Sequence, residues 1–248
     1  MISVPKAGPI IGAAPEISDR QQAARSVRQM FSSIAPRYDF LNHLLSLNVD
    51  RLWWRRAART FDPILQRRAA RILDLCCGTG DMTEALRRRA HPQARILGAD
   101  FSHPMLVRAH AKNAALRWLE ADALSLPLPD ASFDLVTAAF GFCNLADYDA
   151  GLREIHRVLR AGGEVGILDF GAPSGLMGVL YRIYFRRVLP AVGTLISGVK
   201  GPYAYLPASV EKFPPPSEML DRMRAAGFQD VVWTPYTFAI AGLYRGKA

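Results

Sequence analysis

Cysteine is scarce in this chain, three among 248 residues, and two of the three, Cys76 and Cys77, are adjacent. Three cysteines cannot build a disulfide framework, and neighbours lack the C-x-x-C spacing of a zinc site or a thioredoxin-like pair. They read as small apolar residues in a reduced core, and no metal is expected. Long apolar runs are missing as well. No segment reaches the roughly 18 to 20 uncharged residues that span a bilayer. The longest candidates, 170–181 and 188–199, are bounded by Arg182, Arg187 and Lys200. Residues 1–15 carry little charge and are broken by prolines, so no secretion signal is expected, and the protein is expected to be soluble.

Acidic residues are in the minority, 22 against 31 Lys and Arg, which leaves a net charge of +9. An anionic lipid surface, nucleic acid and an anionic cofactor would each suit that balance. Arginines that only solvate helix faces, as in "ALRRRA" (85–90), would explain it equally. With 50% hydrophobic residues, the chain can fill the core of one large α/β domain with an appendage.

From residue 71 strand and helix patterns alternate. "RILDLCC", "ARILGAD", "LRWLEAD", "FDLVTAAFGF" and "EVGILDFGA" read as strands. "DMTEALRRRA", "HPMLVRAHAKNA" and "ADYDAGLREIHRVLRAGG", the last with a glycine stop, read as the helices between them. This rhythm predicts a parallel, doubly wound sheet. After 172 the rhythm breaks into an apolar, arginine-studded helical stretch, 176–199, and then the proline-rich "EKFPPPSE". A helix, "SEMLDRMRAAG", leads into two strands about Thr234-Pro235, a terminal hairpin. The expected organisation is a flexible tail over 1–20 and one domain over 21–248. That domain carries a helical cap at 21–60 and a helical insertion at 173–216.

In such a sheet a glycine loop after the first strand binds its ligand at the carboxyl edge. Here the loop is "DLCCGTGD", with Gly78 and Gly80 around Thr79, and not the G-x-G-x-x-G of dinucleotide binders. Asp74 precedes it and Asp81 follows it. Asp100 closes the second strand, 22 residues after Gly78, where an acid can accept from ribose hydroxyls. Carboxylates repel pyrophosphate but favour a cationic ligand. S-adenosylmethionine, with its sulfonium and ammonium and no phosphate, fits. Asp122, closing the third strand, is placed to meet an adenine amino group. Strand-end caps and turns would explain Asp81 or Asp122 singly, but not the set.

The stretches "FSSIAPRYDFLNHLLSLNVDRLWWRR" (31–56), "DLCCGTGD", "LPLPDASFDLVTAAFGFCN" and "REIHRVLRAGG" resemble the quinone C-methyltransferases of the UbiE/MenG type. The likeness runs from about residue 21 to "LYRG" near the end. It implies a class I S-adenosylmethionine-dependent methyltransferase (Rossmann-like) fold, with a seven-stranded, mostly parallel sheet. It also implies C-methylation of demethylmenaquinol, and in some relatives of a ubiquinone precursor. Cofactor contacts carried over by motif fall on Thr79, Asp100, Asp122 and Ala123, with Gly78 and Gly80 around them. Another falls on Ala139, where the family usually has serine, so that only its backbone can serve. The family usually reads F-G-[LIF]-R-N where this chain has "FGFCN", 140–144. Asn144 remains, but Cys143 replaces an arginine proposed to help the ring lose its proton, and a thiol cannot copy a guanidinium fork. "PYAYLPASVEKFP" (202–214) stands where many members read S-Y-R-Y-L, and a similar Tyr-Ala-Tyr occurs in phylloquinone-pathway relatives.

Methyl transfer from a sulfonium is an in-line displacement governed by positioning and electrostatics. A quinone ring is electron-poor and the quinol electron-rich, so the quinol is the expected acceptor. A base or hydrogen-bond acceptor near its hydroxyl would help it ionise. Tyr38 and Asn144 are the candidate catalytic residues, with Asp39, His43 and His103 as further chemically suitable groups. Trp53, Phe140, Phe142, Tyr203 and Tyr205 could wall an aromatic site, although Trp53 and Phe142 suit an ordinary core equally. The stretch 176–197 suits an interfacial cover over a prenyl tail, or a helix packed on the sheet or a second subunit.

The expected partners are therefore a prenylated quinol and, transiently, a membrane surface. Nucleic acid is not expected, because no N/D-P-P-[YF] motif is present. A homodimer is left open. The expected location is the cytoplasm, with peripheral residence at the inner face of its membrane left open. Methylation of a ubiquinone precursor, of demethylphylloquinol or of a soluble metabolite at O or N remains an alternative. So does a non-enzymatic, adenosylmethionine-binding regulatory module.

Overall fold

A computed structural model describes residues 46, 48–171, 173–184 and 212–248. Seven strands, β1 (Arg71–Leu75), β2 (Arg95–Asp100), β3 (Arg117–Glu120), β4 (Phe133–Ala139), β5 (Leu159–Phe170), β6 (Gln229–Tyr236) and β7 (Ala241–Lys247), form one sheet. Their order is β3-β2-β1-β4-β5-β7-β6. The first five pair in parallel, and β7 runs antiparallel between β5 and β6. In β4 every residue from Phe133 to Ala138 is buried, as expected of a central strand covered on both faces. Alternation along β1 divides the core. Leu73 and Leu75 face one apolar cluster and Ile72 faces the other.

The helices among the described residues are α1 (Val49–Thr60), α2 (Asp62–Leu65), α3 (Asp81–Arg87), α4 (His103–Lys112), α5 (Tyr148–Val158), α6 (Gly175–Ile183) and α7 (Pro216–Ala225). One cluster gathers Leu152 and Ile155 of α5 with Met219 and Met223 of α7. The other gathers Trp53 and Ala57 of α1, Phe61, Leu65 and Leu86. Helix α5 starts where the Asp147 carboxylate accepts from the Ala150 N–H at 3.0 Å, an N-cap worth about 1 kcal/mol. No described helix is long and apolar enough to cross a membrane.

Two boundaries differ from the sequence expectation. Helix α5 ends at Val158, and β5 begins at the next residue instead of after Gly163. Leu159 is buried and registers with Phe133 before a bulge, so its packing opens the strand five residues early. The hairpin turn is not at Thr234-Pro235. Pro235 lies inside β6, opposite Gly242. The turn comes later, at Thr237, Phe238 and Ala239, which have φ of 44°, 55° and 64°. Proline is tolerated because β6 is the sheet's edge, where a missing N–H breaks no ladder bond on the open side. The tail at 1–20, the cap ahead of residue 46 and residues 185–211 of the insertion lie outside the described residues, with Tyr38, Asp39, His43, Tyr203 and Tyr205.

Candidate active site

At the carboxyl end of β1 the chain reverses sharply. Cys76, Gly78 and Gly80 all take left-handed φ, at 53°, 54° and 89°. Glycine adopts this geometry freely, whereas Cys76 adopts it at a cost that its surroundings must cover. The loop is fixed from β2. The Cys77 N–H donates to the Ala99 carbonyl at 3.0 Å. The Gly78 N–H donates to Asp100 Oδ2 at 2.9 Å, and the Ser102 N–H to Asp100 Oδ1 at 2.8 Å. Asp100 is thus both at the expected strand end and the staple that holds the glycine loop to it.

Asp74 occupies a different place from the one expected of a ligand contact. It is 0% exposed, and its oxygens accept from the hydroxyls of Thr83 at 2.5 Å and Thr137 at 2.8 Å. Burial raises its pKa to about 6 in spite of those hydrogen bonds. It braces β1 to α3 and β4 beneath the loop, and so positions the loop. Thr79 is also buried, at 2% exposed. Its hydroxyl accepts from Lys112 Nζ at 3.0 Å, and the same ammonium bridges Asp81 at 3.1 Å. Asp81 is therefore charge-balanced from α4. Asp122 stays exposed beyond β3, where its Oδ1 accepts from the Leu124 N–H at 2.9 Å, and Ala123 beside it is buried.

The end of β4 completes the rim. Ala139 is partly buried, and Phe140 turns left-handed at φ 55°. Gly141 lies so close to the loop that a Cβ there would come within 2.4 Å of Cys76 Cβ, so the two strand ends touch. The Phe140 ring sits between Trp53 at 5.7 Å and Phe170 at 5.0 Å. Phe142 is instead fully buried and stacked on Tyr148, which makes it core and no site wall. His103 is exposed just past the end of β2, with its Nδ1 3.1 Å from Glu120 at the end of β3. Asn144 follows in a 3₁₀ turn, Phe142–Asn144, and its side-chain Oδ1 is buried with no hydrogen-bond donor among the described residues. A buried oxygen left in this state costs on the order of 1–3 kcal/mol until a donor arrives.

Asp169, at the end of β5, was missed by the sequence reading. It is 0% exposed and holds the Cys143 N–H at 2.9 Å and the Phe170 N–H at 2.8 Å. Burial lifts its pKa to about 6. The available signal was an acid inside the apolar run "GILDF", a placement that needs a partner or a purpose. Tyr181 of α6 belongs to the same neighbourhood. Burial raises its phenol pKa first, then the nearby Cys143 and Asp169.

The field at this rim is negative. The Cys76 thiol is pushed well up by burial and then, in order, by Asp100, Asp74, Asp169 and Asp122. Four carboxylates from four strand ends act on one point, which suits a cationic ligand and disfavours a phosphate. Burial likewise holds the Cys77 and Cys143 thiols protonated. None of the three cysteines is a thiolate nucleophile.

A family model described as the ubiE/COQ5 methyltransferase family matches residues 18–248. A demethylmenaquinone methyltransferase of Deinococcus radiodurans is 49% identical over 94% of this chain and 96% of its own. One of Thermus thermophilus is 51% identical over 88% and 99%. A ubiquinone/menaquinone biosynthesis C-methyltransferase of Geobacter sulfurreducens is 42% identical over 89% and 88%. Among solved structures, a SAM-dependent methyltransferase from Thermotoga maritima superposes with a TM-score of 0.64 at 19% identity, over 89% of this chain and 99% of that one. The [4+2]-cyclase SpnF gives 0.62 at 21%, over 88% and 77%. One fold hosts both named activities, so the reaction must be read from the site.

Proposed function

Because this chain belongs to the ubiE/COQ5 methyltransferase family, we propose that it methylates the ring of a prenylated naphthoquinol, converting demethylmenaquinol to menaquinol. It is an S-adenosylmethionine-dependent methyltransferase. The bound cofactor supplies a methyl group carried on a sulfonium. The residues proposed to hold it are the Gly78–Gly80 loop with Thr79, the carboxylates of Asp100 and Asp122, and the backbone at Ala123 and Ala139. Asp74 acts from below as a brace. The four carboxylates focused on Cys76 support this reading, since their field favours a ligand bearing a sulfonium and an ammonium.

The observation that carries the acceptor side is the buried Oδ1 of Asn144, donor-less among the described residues. A quinol hydroxyl is the donor this oxygen lacks. A hydrogen bond there would orient the ring and draw charge onto its oxygen, which raises electron density at the neighbouring carbon. That carbon takes the methyl group as the methyl–sulfur bond breaks, leaving a neutral thioether, and then gives its proton to solvent as the ring regains aromaticity. Asn144 thus takes part of the work of the arginine that Cys143 replaces, and Tyr38 is the proposed second hydroxyl partner. Phe140 and Phe170, both partly buried, are the aromatic side chains proposed to meet the planar ring, with the buried Trp53 packed behind Phe140.

The remaining organisation is read in the same way. The single domain over 21–248 carries its cap at 21–60 and a membrane-facing insertion at 173–216. Val179 and Ile183, one turn apart on α6, are 44% and 49% exposed, which suits a surface that meets lipid. The protein works peripherally at the inner face of the cytoplasmic membrane, where its acceptor resides. A ubiquinone precursor is the second acceptor, favoured by the name of the Geobacter relative.

The test supplies methyl-labelled adenosylmethionine with reduced demethylmenaquinone in detergent, beside its oxidised form, a demethyl benzoquinol and tRNA. Label in the reduced naphthoquinol alone is the expected result. Label in none of them, with adenosylmethionine still bound, would overturn the reading.

A further inference from the structure

Helix α1 carries four arginines in twelve residues, and three of them, Arg51, Arg55 and Arg59, recur every fourth position. That spacing puts them on one face, each about 6 Å further along the axis. All three are exposed, and no acidic side chain among the described residues pairs with them. Nearby arginines are engaged. Arg88 pairs with Glu84, Arg89 with Asp62, and Arg56 lies over the Tyr236 ring at 4.3 Å. Arg108 of α4 and Arg153 of α5 also lack an acidic partner among the described residues, but only α1 sets three such arginines on one face. That face borders a cleft of about 400 Å³ between α1 and α3, whose lining includes Trp54 and two carboxylates, Asp81 and Glu84, that pair with Lys112 and Arg88. Leu52 stands on the same side of α1, 61% exposed.

We infer that this face of α1 is a docking surface for anionic phospholipid headgroups, with Arg51, Arg55 and Arg59 on the phosphates and Leu52 entering the interface. The inference rests on the proposed lipid-borne acceptor and adds where the protein touches the bilayer. Guanidiniums bind phosphate oxygens as planar forks. An aliphatic side chain standing out among them is wasted on a nucleic-acid backbone but gains apolar surroundings at a bilayer. The inner face of the same helix buries Trp53 against Phe140 at the strand ends. A bilayer seated on the arginine face is therefore one helix diameter, about 10 Å, from the aromatic row.

The experiment uses the full chain and its Arg51→Gln/Arg55→Gln/Arg59→Gln variant, with Leu52→Ser made separately. All these side chains are exposed, so circular dichroism and thermal melting should match wild type. Co-sedimentation is measured with vesicles of phosphatidylcholine alone and of phosphatidylcholine mixed with phosphatidylglycerol, at low and high salt, beside tRNA binding. Binding that needs the anionic lipid, weakens with salt and falls about fivefold per arginine, on the order of 100-fold for three, is expected. Leu52→Ser should weaken it in high salt as well. Equal vesicle binding by wild type and the triple variant would overturn the proposal, and so would a triple variant that loses only tRNA. Methylation of a short-tailed, water-soluble demethyl naphthoquinol is assayed in parallel and should be unchanged by the triple substitution. If that methylation is absent while vesicle binding still depends on the arginines, the acceptor reading fails and the docking face stands.

Discussion

Replacing Gly98 by alanine probes how the glycine loop is held. Gly98 lies in β2, two residues before Asp100, and registers with Trp118 of β3. A Cβ at this position would sit 2.5 and 2.6 Å from Cζ3 and Cε3 of Trp118, and 3.1 Å from Cys77 Sγ. The far edge of the same ring, Cη2, lies 2.7 Å from where a Cβ on Gly80 would be. One indole thus spans strand and loop, anchored by its N–H on the Asn113 carbonyl at 3.3 Å. An added methyl forces the ring outward. If a third of a tryptophan's 150–250 Å² returns to water, the loss is about 60 Å², or about 1.5 kcal/mol at 25 cal/mol per Å². Strain brings the expected destabilisation of Gly98→Ala to about 1–3 kcal/mol. Urea unfolding of Gly98→Ala, Trp118→Leu and the double variant closes a cycle. The pair should couple by about 1 kcal/mol or more, since leucine vacates the space the methyl needs. Adenosylmethionine affinity should fall with Gly98→Ala alone, because Trp118 also roofs the loop. A stable Gly98→Ala, or effects additive within about 0.5 kcal/mol, would refute the packing argument.

Two further outcomes are expected. Asp74 has a folded pKa of about 6 against an ordinary 3.8, so its protonated form is the one the fold favours. The stability linked to that proton is fully present below about pH 4 and lost as pH rises through 6, up to about 3 kcal/mol. Asp74→Asn should therefore gain on wild type between pH 4 and 7 in urea midpoints, and a gap constant with pH would contradict this. Asn144→Ala should cut methyl transfer to the reduced quinol on the order of 100-fold while adenosylmethionine binding holds. Undiminished turnover in single-turnover assays would remove Asn144 from the mechanism.

The alternating pattern made the five parallel strands and the acids at the ends of β1, β2 and β3 legible, because buried strands and helix faces have different periods. What escaped depended on contacts distant in sequence. The glycines at 162 and 163 resemble a helix stop, but the pairing of Leu159 with Phe133 decides where β5 begins. Thr234-Pro235 resembles a turn, but edge position accommodates the proline, and three non-glycine residues make the reversal. The acids at 74 and 100 are two residues of one type, one reading as well as the other. Both are buried, and only their hydrogen-bond partners show that Asp74 holds two threonines while Asp100 holds the loop. Asp169 looked like part of an apolar strand, since its two N–H donors are set by tertiary folding, the nearer being its own neighbour.

Strand β7 lies between β5 and β6 and follows both in the chain. During synthesis, β5 therefore emerges with one side unpaired, and β6 appears before its only sheet partner exists. Until β7 arrives, Ile167 and Leu168 border an open row of N–H and C=O groups, the kind of edge that recruits strands from other chains. Closing it joins residues some 75 positions apart, which makes insertion of this strand a slow, late event. Changes confined to 241–247 that weaken this pairing should accordingly leave the β5 edge open in full-length chains and lower their solubility on expression.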